Sequence, residues 1–513
     1  MPSLASCDRG LLYLKTRKGL FVIFNGMKLK RGWRATKMWL VGLLLFGVCL
    51  GLFASKYGTS LNYYWAALFP LLILIVYKRK APALVAIFAL GALVGLFKGQ
   101  MFYRQMLGYE KLYGTVVTVS GPVADDIGYG EKKQTEFHIS PVSIDGKRLP
   151  GRVRIRGFGA SNVGRGDLVS VTGKLNRTLG NSRQGSVSFA EINVISKNTS
   201  WVEKMRGRFI ASVYSSLPEP QGSLGLGYLM GIRAALPEDF ALALSVVGLT
   251  HIVAVSGYNL TILVQFVKKI LEKHSAYQTV FFSLLFITGF LIITGWSPSI
   301  MRASIIAFFS LLAWYYGRTF NPLVLILLGA AITGFMNPLY IWGDVGWYLS
   351  FLAFAGVLIL APLFIHTYFK GEKPFFLLAV LIETLAAQAF ALPLIAVIFG
   401  EVSLISPLAN VLVVPLIPFA MLMIFTVGVV GMVSPVFALW LALPVRALMT
   451  VTVWVVERLS AVPWAQTSVK LWPWQAVCIY GLMVYFLLWM WLKSWSGRKT
   501  ASAEAEAVDW NLL

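Results

Sequence analysis

The stretch Gly248-Leu-Thr-His-Ile-Val-Ala-Val-Ser-Gly-Tyr-Asn-Leu-Thr261 decides the fold. It carries His251, Ser256, Gly257 and Asn259, yet no Asp, Glu, Lys or Arg occurs between Asp239 and Lys268. As a helix that run spans roughly 40 Å at ~1.5 Å per residue, more than the ~30 Å of a bilayer core. Polar side chains and a glycine inside such a run are costly against lipid, so they are expected to face a helix bundle, a cavity or a pathway. The whole sequence points the same way. Hydrophobic residues make up 57% and charged residues 13%, with 17 Trp, which describes a polytopic membrane protein and excludes a soluble enzyme. Cys7, Cys49 and Cys478 form no readable disulfide framework. The net charge of +23 fits either cytoplasmic Lys and Arg obeying the positive-inside rule or affinity for a polyanion.

Outward from that stretch, apolar segments near 249–267, 278–294, 299–317, 321–337, 346–366, 375–398, 404–430, 434–460 and 472–493 follow one another. Three more, near 39–55, 61–77 and 82–99, precede them, giving about twelve expected spans. Residues 1–38 form a basic head, and 39–55 reads as an uncleaved first span within an N-terminal helical block, 39–102. The head, Lys78-Arg-Lys80, Lys268, Lys269, Lys273, Arg318, Lys370, Lys373, Arg446 and Arg498 all fall on the expected cytoplasmic side, as does the tail 496–513. This topology predicts a multi-pass protein of the cytoplasmic membrane with both termini inside and residues 103–205 outside. An amphipathic or re-entrant region, 206–248, leads into the membrane domain 249–495.

Residues 103–205 change character. Gly114-Thr-Val-Val-Thr-Val-Ser120, Thr135-Glu-Phe-His-Ile139, Gly151-Arg-Val-Arg-Ile-Arg156, Asp167-Leu-Val-Ser-Val-Thr172 and Val187-Ser-Phe-Ala-Glu-Ile-Asn193 alternate with period two between turn residues. They predict a small extracytoplasmic β-barrel, and Gly166–Leu175 is similar to a strand that recurs in OB-folds. On the strand Gly151–Phe158, Arg152, Arg154, Arg156 and Phe158 share one face. Three guanidinium groups beside a ring suit phosphates and a stacked base of a single strand; a solvated barrel face is the other reading.

Within the membrane domain, the topology sets His251, Arg302 and Asp344 at one depth near the outer face. They line the mouth of a pathway, or Arg302 and Asp344 form a structural pair. Glu383 and Gln388 fit a relay or pore lining, or else a hydrogen bond between helices. Ser256 reads as a helix-packing residue or as the nucleophile of a membrane hydrolase. The four histidines, His138, His251, His274 and His366, lack metal-ligand spacing, and neither a Gly-x-Ser-x-Gly elbow nor a Walker A loop occurs. No enzyme activity and no cofactor or metal is expected.

Several of these segments resemble ComEC-type DNA-internalisation proteins of bacterial natural competence. His251-Ile-Val-Ala-Val-Ser-Gly-Tyr-Asn-Leu260 is similar to the family stretch His-Leu-Leu-Ala-Ile-Ser-Gly-Leu-His-Val. Leu224-Gly-Leu-Gly227 with Leu236-Pro237, Ser299-Ile-Met-Arg-Ala303, Asp344-Val-Gly-Trp-Tyr-Leu-Ser-Phe351, Phe399-Gly400, and Ser406-Pro407 with Asn410 and Pro415 resemble further family motifs in order. The resemblance implies a channel that passes one DNA strand inward, an external DNA receptor, and a cytosolic motor ATPase with strand-binding proteins. It leaves homo-oligomerisation open. Asn259 stands where the family has a second histidine, so a two-histidine mechanism is not expected. Many members carry a metallo-β-lactamase-like domain, but no His-x-His-x-Asp-His cluster is present, so nuclease activity in cis is not expected.

Overall fold

The computed structural model describes residues 34–57, 81–129, 134–158, 163–178, 184–232, 236–253, 257–271, 275–295, 298–317, 321–369 and 374–490. The basic head up to residue 33, the expected span 61–77, Lys78-Arg-Lys80, Ser256, Lys273, His274, Arg318, Lys370, Lys373 and the tail with Arg498 lie outside the described residues.

Helix α1 (Arg34–Ala54) and helix α2 (Ala81–Glu110) form a closely packed pair. Their crossing is lined by Gly47 and Gly51 on one side and Gly91, Gly95 and Gly99 on the other. A Cβ on Gly51 would lie 2.1 Å from the Ala92 carbonyl oxygen, and one on Gly95 would lie 2.2 Å from that of Val48. The backbones therefore touch, which is how helices associate where lipid removes any hydrophobic gain from contact. With 30 residues, or roughly 45 Å, α2 outruns the bilayer core and carries Tyr109 into the β domain.

That domain contains strands β1 (Val116–Pro122), β2 (Gly128–Tyr129), β3 (Thr135–Ile139), β4 (Val142–Ile144), β5 (Lys147–Leu149), β6 (Val153–Phe158), β7 (Leu168–Asn176) and β8 (Gly185–Ser196). The order is β2-β3-β6-β8-β7-β1-β4-β5, with β6 and β8 parallel. Alternation buries Val117, Val119, Phe137, Ile139, Val153, Ile155, Val169, Val171, Leu175 and Val187 as one core. The ladder is open, which corrects the closed barrel expected from the sequence. The β4–β5 hairpin occupies the free edge of β1 through Val119↔Ile144 and Ser120↔Ser143. What ties β1 toward β3 is a bridge, Val123↔Ile139, flanked by Ala124 N–H donating to the His138 carbonyl at 2.8 Å.

From Trp201 the chain is helical: α3 (Trp201–Ser216), α4 (Gln221–Met230), α5 (Glu238–Val246), α6 (Thr250–Val253), α7 (Gly257–Leu271), α8 (Ala276–Thr294), α9 (Pro298–Tyr315) and α10 (Pro322–Met336). Then come α11 (Leu339–Gly343), α12 (Val345–Ala355), α13 (Ala361–Tyr368), α14 (Phe376–Ile398), α15 (Ser406–Val413), α16 (Ile417–Gly431), α17 (Pro435–Ser460) and α18 (Pro473–Met490). Seven helices among the described residues are long and apolar enough to cross a membrane, and Met38–Ala54, Ser299–Tyr315 and Pro322–Met336 are shorter apolar helices. Large apolar side chains such as Phe281, Leu285, Phe437 and Trp440 stand exposed on these helices, as a lipid-facing surface requires. The chain is thus a multi-pass membrane protein.

Over the segment 249–267 the structure describes α6 and α7, and residues 254–256 between them lie outside the described residues. Arg446, expected on the cytoplasmic side, sits midway along α17 and donates from Nε to the Ser216 carbonyl at 2.9 Å. The largest core joins α3, α4, α5, α6, α15, α16 and α17. A second joins Leu52 of α1 to Ala330, Tyr340, Ile341, Trp347 and Phe351.

Gly51→Val forces side-chain atoms into backbone and is expected to destabilise the chain by at least about 1–3 kcal/mol. Thermal unfolding of the detergent-solubilised protein checks this, and an unchanged midpoint would count against the backbone-contact crossing.

Candidate functional site

The opening stretch is positioned by what surrounds it. Gly248 adopts φ +72°, and a Cβ there would meet Ser406 Oγ at 2.7 Å, so only glycine suits both conformation and space. Leu249, Ile252 and Val253 anchor the turn in the core, while His251 is exposed and its Nδ1 donates to the Gly248 carbonyl at 3.0 Å. Asn259 is 1% exposed and donates from Nδ2 to the Tyr228 carbonyl at 2.9 Å. That carbonyl belongs to the last turn of α4, where helix geometry leaves acceptors open. Gly257 begins α7.

Ser406 gathers the later motif. Gln388 donates from Nε2 to Ser406 Oγ at 2.7 Å, and Asn410 donates to the Ser406 carbonyl at 2.9 Å. Gly248, Gln388 of α14 and Asn410 of α15, drawn from three separate segments, therefore converge on the Ser406 hydroxyl. Glu383 lies half-buried on the same helix as Gln388.

Arg302 and Asp344 form a second group. Arg302 is 4% exposed; its Nη2 donates to the Gly346 carbonyl at 3.2 Å and its guanidinium carbon lies 5.8 Å from the Phe351 ring centre. Its Nε and Nη1 are buried and have no hydrogen-bond partner among the described residues. Asp344 is committed elsewhere: its Oδ1 caps α12 by accepting from the Trp347 N–H at 2.7 Å. The two residues are neighbours electrostatically without the locking ion pair considered from sequence. Helix α6, with His251, packs on α4 and α5, whereas α9, with Arg302, packs on α7, α8, α10 and α12. The three residues expected at one mouth thus belong to two groups.

Tyr340 on α11 is buried in the core with Ile341, Trp347 and Phe351. Burial raises its pKa, the charge of Arg152 and a hydrogen bond with Asn337 oppose that, Asp344 adds to the rise and Arg302 opposes it. The charges of Arg152, just before β6, and of Arg302 both act on Tyr340.

The alternation expected of β6 is present: Val153, Ile155 and Gly157 are buried, and Arg154, Arg156 and Phe158 face outward. The row is not three bare cations, because Glu136 of β3 lies across from Arg156 and pairs with both Arg154 and Arg156, the latter at 3.1 Å. The Arg152 N–H donates to Gln184 Oε1. Burial alone would raise the Glu136 pKa, yet hydrogen bonds and charge from Arg154, then Arg156, hold it below its ordinary value. Sequence reasoning missed Glu136, although the alternation of Thr135–Ile139 put it on the outer face. It also missed the joint beneath the domain. There Arg206 pairs with Asp126, Arg165 lies 3.5 Å from Glu203, and Arg165 and Arg206 both donate to the Ile293 carbonyl, at 3.2 and 3.1 Å. These partners lie far apart in sequence, and no periodicity marks them.

The fold is a multi-pass helical bundle joined to an open β domain, with a buried guanidinium, Arg302, inside the bundle. A sequence model of the competence protein family matches residues 228–494, a little over half of the 513 residues, and the chain belongs to that family. ComE operon protein 3 of Bacillus subtilis (strain 168) is similar, 24% identical over 223 residues. The alignment covers 43% of this chain and 28% of that protein, so the chain matches well under two thirds of its relative's length. No solved structure matches.

Two outcomes test this geometry. The lowered pKa of Glu136 stabilises the fold above its unfolded value, so that contribution is lost as pH falls through the carboxylate range near about 4. The unfolding midpoint is expected to drop between about pH 6 and pH 3, and Glu136→Gln to flatten that slope; equal slopes would refute the pairing. Asn259→Leu strips the Tyr228 carbonyl of its donor and is expected to cost about 1–3 kcal/mol by denaturant unfolding.

Proposed function

We propose that this protein is a conduit that passes single-stranded DNA through the cytoplasmic membrane during natural competence. Family membership supports a role in DNA uptake, and one observation carries the finer reading: Arg302 is buried, and its Nε and Nη1 have no hydrogen-bond partner among the described residues. An unpaired buried guanidinium is costly, and in a membrane such groups mark ion and substrate pathways. Rings of Arg and Lys serve anion and phosphate pores because they replace the hydration a phosphate loses. A passing phosphodiester supplies the acceptors that Arg302 lacks, while Asp344 and Tyr340 hold the field that orients it.

In this reading the β domain lies outside the membrane and both termini lie in the cytoplasm. The path β1-β3-β6-β8-β7, with parallel β6 and β8 and the Val123↔Ile139 bridge, supports an OB-like ancestry for the sheet despite its open ladder. Arg152, Arg154 and Arg156 form the landing face, with Arg152 handing the strand toward Tyr340 and Arg302. His251 and the Ser406 cluster shape the bundle beside this path. The protein acts as a passage and not as an enzyme. An external DNA receptor, a cytosolic motor ATPase and strand-binding proteins complete the route.

The test is uptake of fluorescent DNA by cells carrying Arg302→Met, with membrane abundance followed by immunoblot. Uptake is expected to fall at least about tenfold at unchanged abundance, while the purified variant gains about 1–4 kcal/mol of stability because an unpaired charge has been removed. Unchanged DNA import with altered envelope polymers would instead favour a transporter of anionic glycans.

A further inference from the structure

Phe189 is held where a phenylalanine has no packing reason to be. Its φ is +55°, a left-handed conformation that costs residues with a Cβ and that glycine adopts freely. It is 78% exposed, so the strain is not offset by burial in the core. The cause is a bulge in β8. On one side Ser188 pairs with Arg156 and Ala190 with Gly157; on the other Ser188 pairs with Lys174 and Glu191 with Thr172. Phe189 is the extra residue against β6 and is skipped by β7. Gly157 and Gly173 make room for this bulge, since a Cβ on either would lie within 2.5 Å of β8 atoms. Bulges of this kind re-aim a side chain, often beside a functional site.

The ring is aimed at Phe158, which is 50% exposed, with centroids 6.5 Å apart and planes 32° from parallel. Beside the two rings, Arg156, Ser188 and Lys174 sit in register across three adjacent strands, and 43% of the Arg156 side chain is open to solvent. A pair of exposed rings next to a row with a cation at each end is complementary to one chemical object: an unpaired nucleobase with its flanking phosphates. Glu191, opposite Phe158, stands at the ring end, where a base and not a phosphate is placed. Backbone strain retained at an exposed position is characteristic of binding sites.

We infer that Phe189 and Phe158 form a stacking platform for a base of single-stranded DNA, with Arg156 and Lys174 holding the adjoining phosphates. This rests on the DNA-conduit reading above and adds the residue that engages the base itself. The full chain in detergent is titrated with a fluorescent oligothymidylate and with an abasic strand of the same length. Phe189→Ala is expected to weaken binding of the thymidylate strand roughly tenfold and leave binding of the abasic strand unchanged, while Phe189→Tyr retains both. Phe189→Gly is expected to show the same selective loss yet unfold at a higher temperature, because its φ suits glycine. Equal weakening of both strands, or no weakening of either, overturns the platform. A wild-type chain that binds neither strand overturns the landing face itself, and the platform with it.

Discussion

Inside a bilayer no water stands ready to satisfy a polar group, and this constraint organises the membrane domain. Asn259 meets it by donating to Tyr228, Gln388 and Asn410 by meeting at Ser406, and Trp347 by donating to Thr333 Oγ1 at 3.0 Å. Each of these bonds joins separate helices or fixes a turn, so polarity here acts as a set of fasteners. Arg302 breaks the rule. Two of its N–H groups face no acceptor among the described residues, and the nearby carboxylate is occupied in capping α12. The contrast sets the groups that fasten the bundle apart from Arg302, whose Nε and Nη1 have no such fastening among the described residues.

Besides the apolar contact of Tyr109 from α2, the β domain is fixed to this bundle by charge and carbonyl contacts. Arg206 is buried among Asp126, Glu203 and the Ile293 carbonyl, and Arg165 reaches the same carbonyl from the other side of the joint. Two arginines on one helix-end acceptor complement the negative end of the α8 dipole. The Arg–Glu pairing on β6 is a second such balance. Glu136 pairs with two of the three arginines, so the outer face of β6 is mildly rather than strongly cationic.

Much of this was legible in the residue pattern, and the remainder was hidden for definable reasons. Period-two alternation located β1, β3, β6, β7 and β8, because a half-buried strand imposes it directly. Closure of the sheet was not legible, since it depends on where the short β4–β5 hairpin docks. Long apolar runs revealed most of the helices, but hydropathy does not register the turn at Gly248, held against Ser406 just before 249–267. Arg302 and Asp344, singled out together, lie near each other without an ion pair, while His251 lies on a helix packed against other elements, because depth in a membrane says nothing about which helices adjoin. Phe189 gave no signal, because a bulge is a property of two neighbouring registers and not of one strand.

The glycine-lined crossing of α1 and α2 has a further role as a gauge. Trp342 of α11 donates to the Leu52 carbonyl at 2.8 Å, accepts Lys56 at its own carbonyl and rests against Phe102 and Tyr103 of α2. The far end of α2 meanwhile holds the sheet through Tyr109, whose hydroxyl donates to the Pro150 carbonyl two residues before Arg152. One closely packed helix pair thus mounts both Arg152 and α11. The separation between Arg152 and the buried Arg302 therefore depends on how closely two backbones approach, and a single methyl group in that crossing would change it.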